Sequence, residues 1–378
     1  MKTNAEVRRA LIVGAGFSGM TAALELNRVG IEVELLERNR EWNSYGAGIS
    51  LHGATLRVFK RLGIYRRFLE CGAISDGVDV CDAHDDHLLV RLPTPSVGDG
   101  LPGGGAVMRP VLAGLLSDAV RAAGIPVRLG QSFSSMTQEE DGVQVVFEEG
   151  GRSTYDLVIG ADGLHSAVRA QCFPDAPPAR FMGQAVWRAV LPRPTQIERP
   201  VMWMQGTVKA GLNPVSRDEA YLFLTENRAH NDRVDPSSFQ QTLKALLVPF
   251  ASPILTEVRA QLGPHSQIVY RPLEQFLMPR PWYRGRVVLI GDAVHSTTPH
   301  LAAGACIGME DAVVLAEEIV RAHTLKSALD AFQQRRWERS KMVVDNSERL
   351  GEIELTGGDP GEHATIMRDS MRELAQPI

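Results

Sequence analysis

The residues with the clearest chemical use lie in three segments, each an apolar run that ends in glycine or aspartate. The first is Gly14-Ala15-Gly16-Phe17-Ser18-Gly19, which follows the apolar residues 10–13 and opens a helical stretch. In such a G-x-G-x-x-G, Gly14 permits the tight turn, Gly16 lets the backbone approach a pyrophosphate, and Gly19 lets helix sit close to strand. Free N–H groups and the dipole at the helix start favour the negative charge. Glu37 ends the next strand, where a carboxylate can accept hydrogen bonds from ribose hydroxyls. The second segment is Asp156-Leu157-Val158-Ile159-Gly160-Ala161-Asp162-Gly163, continuing to Arg169. The third runs from Gly285 through Gly291-Asp292 to His295, Pro299, Gly304 and Glu310-Asp311-Ala312. In open parallel sheets, ligands sit beyond the carboxyl ends of strands. Three such ends imply one long ligand threaded across the sheet.

The patterning around these segments supplies their frame. Residues 10–13 read as a buried parallel strand, 17–29 as a helix and 31–36 as a second strand. That βαβ unit requires a parallel sheet. One helix is expected over about 54–69, weak strands near 78–81 and 88–92, and a long loop over 93–105. A helix from about Pro110 to Ala123 and strands at 143–147 and 157–159 follow. Between about 180 and 271 the character changes to antiparallel strands at 181–191, 201–205 and 220–225, with helices near 237–247 and 252–261. Parallel character returns at 287–290, and helices fill about 302–321 and 325–349. The fold class is therefore α/β: a Rossmann-like domain with βαβ and a mostly parallel sheet, plus a smaller antiparallel-sheet domain.

Composition narrows the function classes. Hydrophobic residues at 44% and charged residues at 22% are the globular norm. A net charge of −5 without a basic run argues against nucleic acid as a partner. No apolar stretch reaches the roughly 20 residues of a membrane span. Arg8-Arg9 and the run after them resemble a signal peptide, but Gly14-Ala15-Gly16 breaks the run too early. The four cysteines are scattered without a C-x-x-C pair, which fits a reducing cytosol, so a cytoplasmic protein is expected. His84-Asp85-Asp86-His87 reads as a solvated hairpin turn, because four adjacent residues cannot all turn onto one ion; no metal site is expected. Cys306 reads as a packing residue, and neither Ser18 nor Ser166 lies in a G-x-S-x-G elbow.

Taken together, the glycine fingerprint, the DG pair Asp162-Gly163, the GD pair Gly291-Asp292 and the stretch HSTTPHLAAGACIGMEDA from His295 resemble the single-component flavoprotein aromatic hydroxylases. The similarity covers Val13 to about Ser347 and is strongest to the salicylate and 6-hydroxynicotinate branch. The resemblance implies an FAD-binding domain over 1–175 and 277–350 and a substrate-binding domain over 176–276; the polar residues 351–378 read as a loosely packed tail. It implies that Gly14, Gly16 and Gly19 hold the FAD pyrophosphate, with Glu37 and its neighbour Arg38 at the adenosine end. Arg109 would touch the flavin chain, Asp162 would serve FAD and nicotinamide binding, and Asp292 would contact the ribityl chain. Gly304 with Ala305 would face the isoalloxazine, bordered by Pro299. The implied reaction takes NADH or NADPH and O2 and hydroxylates a small aromatic substrate through a flavin C4a-hydroperoxide. Epoxidation, another oxygen insertion, or a non-catalytic flavin-fold binding protein are the alternatives. A homodimer is compatible.

His300 beside that ring has two readings, a base for a phenolic proton or a partner for the loop backbone; for His295 the structural reading is preferred. Trp187-Arg188 is read as packing and pairing between domains. Two departures concern the pocket. Ser50-Leu51-His52-Gly53 stands where many relatives have a proline–asparagine pair, and Ala302-Ala303-Gly304 replaces a more frequent glutamine–glycine.

Overall fold

The structure, a computed structural model, describes residues 6–42 and 46–378. The chain opens with β1 (Arg9–Val13), α1 (Phe17–Arg28) and β2 (Glu32–Glu37). Residues Ala10 to Val13 are all buried, as a strand covered on both faces requires. β1 and β2 pair in parallel, with Ala10 opposite Val33 and Val13 opposite Leu36. Next come β3 (Gly48–His52), α2 (Gly53–Arg61), α3 (Tyr65–Cys71) and β4 (Ala73–Ser75). The single helix expected over 54–69 is thus two. Gly63 adopts φ +75 and breaks it, a left-handed position that glycine takes at no steric cost. β5 (Gly77–Cys81) and β6 (Leu88–Pro93) form a hairpin around the His84–His87 turn.

β7 (Gly104–Met108) returns beside β3 and leads into α4 (Arg109–Ala122). Then follow β8 (Val127–Leu129), the meander β9 (Phe133–Gln138), β10 (Val143–Phe147) and β11 (Arg152–Tyr155), then β12 (Leu157–Gly160) and α5 (Ala167–Cys172). The next part carries β13 (Arg180–Pro192), β14 (Val201–Gln205), β15 (Val208–Pro214), β16 (Glu219–Asn227), α6 (Phe239–Leu247), α7 (Pro253–Gln261) and β17 (Ile268–Gln275). The chain ends through β18 (Tyr283–Arg284), β19 (Val287–Leu289), α8 (Asp292–His295), α9 (Gly304–Arg321), α10 (Leu325–Thr356) and α11 (Pro360–Ala375).

The main sheet has the order β18-β19-β12-β1-β2-β8 and is parallel except at β18. This order brings the ends of β1, β12 and β19 side by side, so the three glycine segments meet along one edge. The second sheet has the order β17-β13-β16-β15-β14-β5-β6. β5 and β6, which precede residue 175, join it because β5 pairs in parallel with β14. One face of this sheet, with Trp187, Ala189, Leu212 and Leu224, is buried under α6 and α7. The other face meets the first layer, where Val190, Tyr221 and Phe223 pack against Ala47, Ala106 and Met108.

The tail is not loose. α10 continues past 349 to Thr356, and α11 lays Ile366, Met367, Met371 and Leu374 against Leu301, Ile307 and Val343. That apolar stripe at helical spacing lies hidden in a mostly polar stretch. No described helix is long and apolar enough to cross a membrane.

Candidate active site

Gly14 has φ +103, and a Cβ there would lie 2.4 Å from the Ala161 carbonyl oxygen. A Cβ on Gly19 would lie 1.9 Å from the oxygen of Gly14, so helix and turn fit only without side chains. Gly16 differs: nothing lies within 4 Å of its would-be Cβ. It is also the N-cap of α1, with no side-chain cap, so the first N–H groups of a 12-residue helix face open space. Glu37 accepts the Ala15 N–H at 3.0 Å through one oxygen and the Asn39 N–H at 2.9 Å through the other. It is thereby fixed at the lip of the glycine turn, with Arg38 exposed beside it.

The DG turn abuts this site through the contact of Ala161 with Gly14. Asp162, however, spends its carboxylate inside the protein. It accepts from the Ser166 hydroxyl at 2.5 Å and from the N–H groups of Ala167 at 2.7 Å and Val168 at 3.1 Å. Burial pushes its carboxyl up, opposed by these hydrogen bonds. The carboxylate of Asp162 is thus engaged within the protein, and the part of this motif that stays open to a ligand is its backbone turn. The carboxylate caps α5 and shapes the turn.

Asp292 and Arg109 show the opposite behaviour. Neither side chain makes a hydrogen bond or an ion pair with any described residue. Asp292 is enclosed by protein, yet its side chain stays open to solvent, the condition of a group lining a cleft. Burial pushes its carboxyl up, with His295 and Arg109 opposing. Arg109 lies 5.8 Å from the Phe17 ring centroid, and burial pulls its pKa down while Asp292 raises it. An unspent acceptor and an unspent donor stand near each other, beyond the end of β19 and the start of α1.

Behind them, α8 and α9 are fastened by charge. His295 Nε2 is 2.6 Å from Asp311, which also accepts the Gly291 N–H at 2.9 Å and Arg336 Nε at 2.7 Å. Arg339 grips Glu310 with two bonds of 2.8 Å. His295 is fully buried and holds the GD turn, the structural reading.

A family model described as FAD binding domain matches residues 8–347. The 2-heptyl-3-hydroxy-4(1H)-quinolone synthase of Pseudomonas aeruginosa is 31% identical over 347 residues, 91% of this chain and 88% of that protein. The 3-hydroxybenzoate 6-hydroxylase of Polaromonas naphthalenivorans is 28% identical over 354 residues, 91% of this chain and 87% of that protein. The chain belongs to the FAD-dependent aromatic hydroxylases. Among solved structures, Klebsiella pneumoniae HpxO complexed with FAD and uric acid has the same fold, with TM-score 0.83 at 24% identity over 97% of this chain and 92% of that one. FAD suits the open cradle at Gly16, the fixed Glu37 and the unspent Arg109 and Asp292.

The loop after the GD turn is the segment that the sequence resemblance sets beside a flavin ring. Here Pro299–Leu301 is a single 3-10 turn, Ala302 takes φ +52, and Gly304 with Ala305 begins α9. Pro299 is half-buried. His300 turns away from the open side. Its Nδ1 lies 2.8 Å from the Thr298 hydroxyl, and its Nε2 lies 3.0 Å from Gln184 and 3.5 Å from Glu354. Burial lowers its pKa, with Glu354 opposing. Both ring nitrogens are thus engaged within the protein, which favours the loop-holding one of the two readings of His300. Glu354 in turn bonds Lys209 at 2.5 Å and His363 at 3.2 Å.

The departing segment explains itself by contact. His52 Nε2 sits 2.6 Å from the Leu301 carbonyl and steadies the loop, while Ser50 bonds the Tyr221 hydroxyl at 2.8 Å and Asn213 at 2.7 Å. A Cβ on Gly53 would lie 2.7 Å from Val97, so the loop after β6 lies against the start of α2. Cys306 is buried and its thiol is pushed up to about 12, as a packing residue would be. In the hairpin turn, Asp85 bonds His87 at 2.6 Å, and Asp86 ties the turn to Trp203 at 2.8 Å and Ile254 at 2.9 Å.

Arg188 is the residue the sequence undervalued. Trp187 is buried in the second core and donates to Glu226 at 2.7 Å, as packing predicts. Arg188 points to the opposite face and pairs with no described residue.

Proposed function

We propose that this FAD-dependent monooxygenase hydroxylates a small aromatic or heteroaromatic ring, phenolic or hydroxypyridine in type, using O2 and NADH or NADPH. The observation that supports it is the unspent Asp292 and Arg109, standing on the side where the second sheet packs against the first layer. When bound, FAD supplies hydride acceptance and oxygen activation, and the protein supplies binding, orientation and a dry site. The N–H groups at the start of α1 bind the pyrophosphate, with Gly14, Gly16 and Gly19 keeping the approach clear. Glu37 and Arg38 receive the adenosine end, and Arg109 and Asp292 the ribityl-phosphate stretch. Pro299, Gly304 and Ala305 border the ring. Asp162 shapes the turn beside it, and His300 is a positioning residue for the Pro299 loop. Tyr221 and Phe223 keep water from the far wall. A cytoplasmic home and a homodimer belong to the same reading: all four cysteines are free, and the edge strand β6 exposes Leu88, Leu89 and Val90.

The test is turnover of purified, FAD-loaded protein with a panel of phenols and hydroxypyridines under 18-O2. One compound should stimulate nicotinamide oxidation and gain one heavy oxygen by mass spectrometry. A yellow protein whose nicotinamide oxidation answers to none of them, or a product whose new oxygen is light, removes the proposal.

A further inference from the structure

α10 runs on past residue 347, where the match to the family ends, and its last turn carries Glu354. This carboxylate is buried and takes partners from three other parts of the chain. Its Oε1 accepts from Lys209 Nζ on β15 at 2.5 Å and lies 3.2 Å from His363 Nε2 on α11. Its Oε2 has no hydrogen bond and lies 3.5 Å from His300 Nε2. Burial works against its charge, yet Lys209, His300 and His363 hold its carboxyl well below the usual range. Lys209 is buried as well.

A buried ion pair gains little stability over apolar side chains of the same volume. Apolar residues would join α10 to β15 equally well, so the charge calls for another use. The atoms around His300 supply one. Gln184 Nε2 donates to Asn227 at 3.1 Å, which leaves Gln184 Oε1 to face His300 Nε2 at 3.0 Å. The Glu354 carboxylate, the other neighbour of Nε2, has no proton to give. With acceptors on both sides, Nε2 carries hydrogen. Burial keeps the pKa of the ring below the usual histidine value against the pull of Glu354, so the ring is neutral at neutral pH. Nδ1 is then a bare acceptor, 2.8 Å from the hydroxyl of Thr298, the residue before Pro299. That hydroxyl also lies 3.2 Å from the Ser347 carbonyl, and its one hydrogen goes to the ring. Gly351 makes room for the arrangement, since a Cβ there would lie 3.0 Å from His300 Cε1.

We propose that Glu354, balanced by Lys209, is a positioning residue for hydroxylation: it fixes His300 as the Nε2–H tautomer, so that Nδ1 holds Thr298 and gives the Pro299 turn one shape. That the turn borders the flavin ring rests on the functional reading above; the fastening itself does not.

FAD-loaded enzyme labelled with 15N-histidine is read by long-range proton–nitrogen NMR at neutral pH. The His300 signals are those that His300→Gln removes and Gly351→Ala displaces. In the parent they should show the Nε2–H form alone. Glu354→Gln keeps the size and removes the charge, so it should give a mixture of both tautomers and change the visible circular dichroism of bound FAD. It should also raise the peroxide released per nicotinamide oxidised about threefold or more, because a loose turn admits water. Added to His300→Gln, the same substitution should change neither dichroism nor peroxide yield further, whereas a merely structural Glu354 would add its own loss. If Glu354→Gln does not fold, Gly351→Ala decides: its methyl presses on the ring and should move the His300 signals and the flavin dichroism together. The inference fails if His300 of the parent carries its hydrogen on Nδ1 or is charged, or if Glu354→Gln leaves its signals as in the parent. It also fails if those signals change and the flavin dichroism does not. Protein that takes up no flavin fails the functional reading instead, and the histidine spectrum of the parent still decides the fastening.

Discussion

Asp292 and Asp311 lie in one motif and do opposite work. Asp292 is unspent and faces the cleft, so Asp292→Ala should lower FAD retention at least about tenfold, the scale of one charge-assisted hydrogen bond. The flavin-to-protein absorbance ratio after gel filtration reads this directly, and an unchanged ratio would remove its role. Asp311 is spent on His295, Arg336 and the Gly291 N–H. Burial works against its charge, yet these partners hold its carboxyl below the usual range. Because the folded value is depressed, the stabilisation is complete above the unfolded pKa of about 3.9 and is lost as pH falls through the folded value. Asp311→Ala should cost about 3 kcal/mol at neutral pH, since it takes a shared carboxylate from buried His295 and Arg336 and leaves Arg336 with Glu310 alone. Thermal melts should also show a shallower loss of stability below about pH 4 in the variant than in the parent. Local backbone was legible in the sequence: the tight turn at Gly14, the open helix start at Gly16, the close contact at Gly19 and Glu37 at the strand end lie where the spacing implies. The orientation of His300 was not legible, because it depends on Gln184 and Glu354, which come from distant parts of the chain.

At the scale of elements, the two glycines at the start of α1 separate folding from binding. Gly19→Ala puts a methyl 1.9 Å from the Gly14 oxygen, so α1 must leave β1, and soluble expression and flavin binding should fail together. At Gly16 the space is open and φ is −75, so Gly16→Ala should fold with stability within about 0.5 kcal/mol of the parent. It should still bind FAD more weakly, since the methyl stands where phosphate must approach. A flavin-replete Gly16→Ala protein would show that the pyrophosphate lies elsewhere. Most elements of the parallel sheet could be read from their continuous apolar runs. The split of α2 from α3 at Gly63 and the helix α11 could not, because a left-handed glycine and a stripe partly built from methionine carry weak local signals.

For the whole molecule, the proposed ligand site lies between a parallel sheet that offers strand ends and an antiparallel sheet that offers a wall. The first was visible in three motifs. The second was legible as a class but not in its membership, since β5 and β6 reach it only by pairing with β14 across more than a hundred residues. A further long-range link concerns the far end of the chain. Arg339, which holds Glu310 in α9, also donates to the carbonyls of Glu373 at 2.7 Å and Leu374 at 2.8 Å. The carboxyl terminus is thus latched to α9, the helix whose start is proposed to border the flavin ring. Deleting the last five residues removes Leu374 and frees one side of that guanidinium, so a shortened protein should release FAD faster than the parent in a dilution assay. If both release it at the same rate, the latch does not reach the cofactor, and affinity handles can be fused at that end without cost.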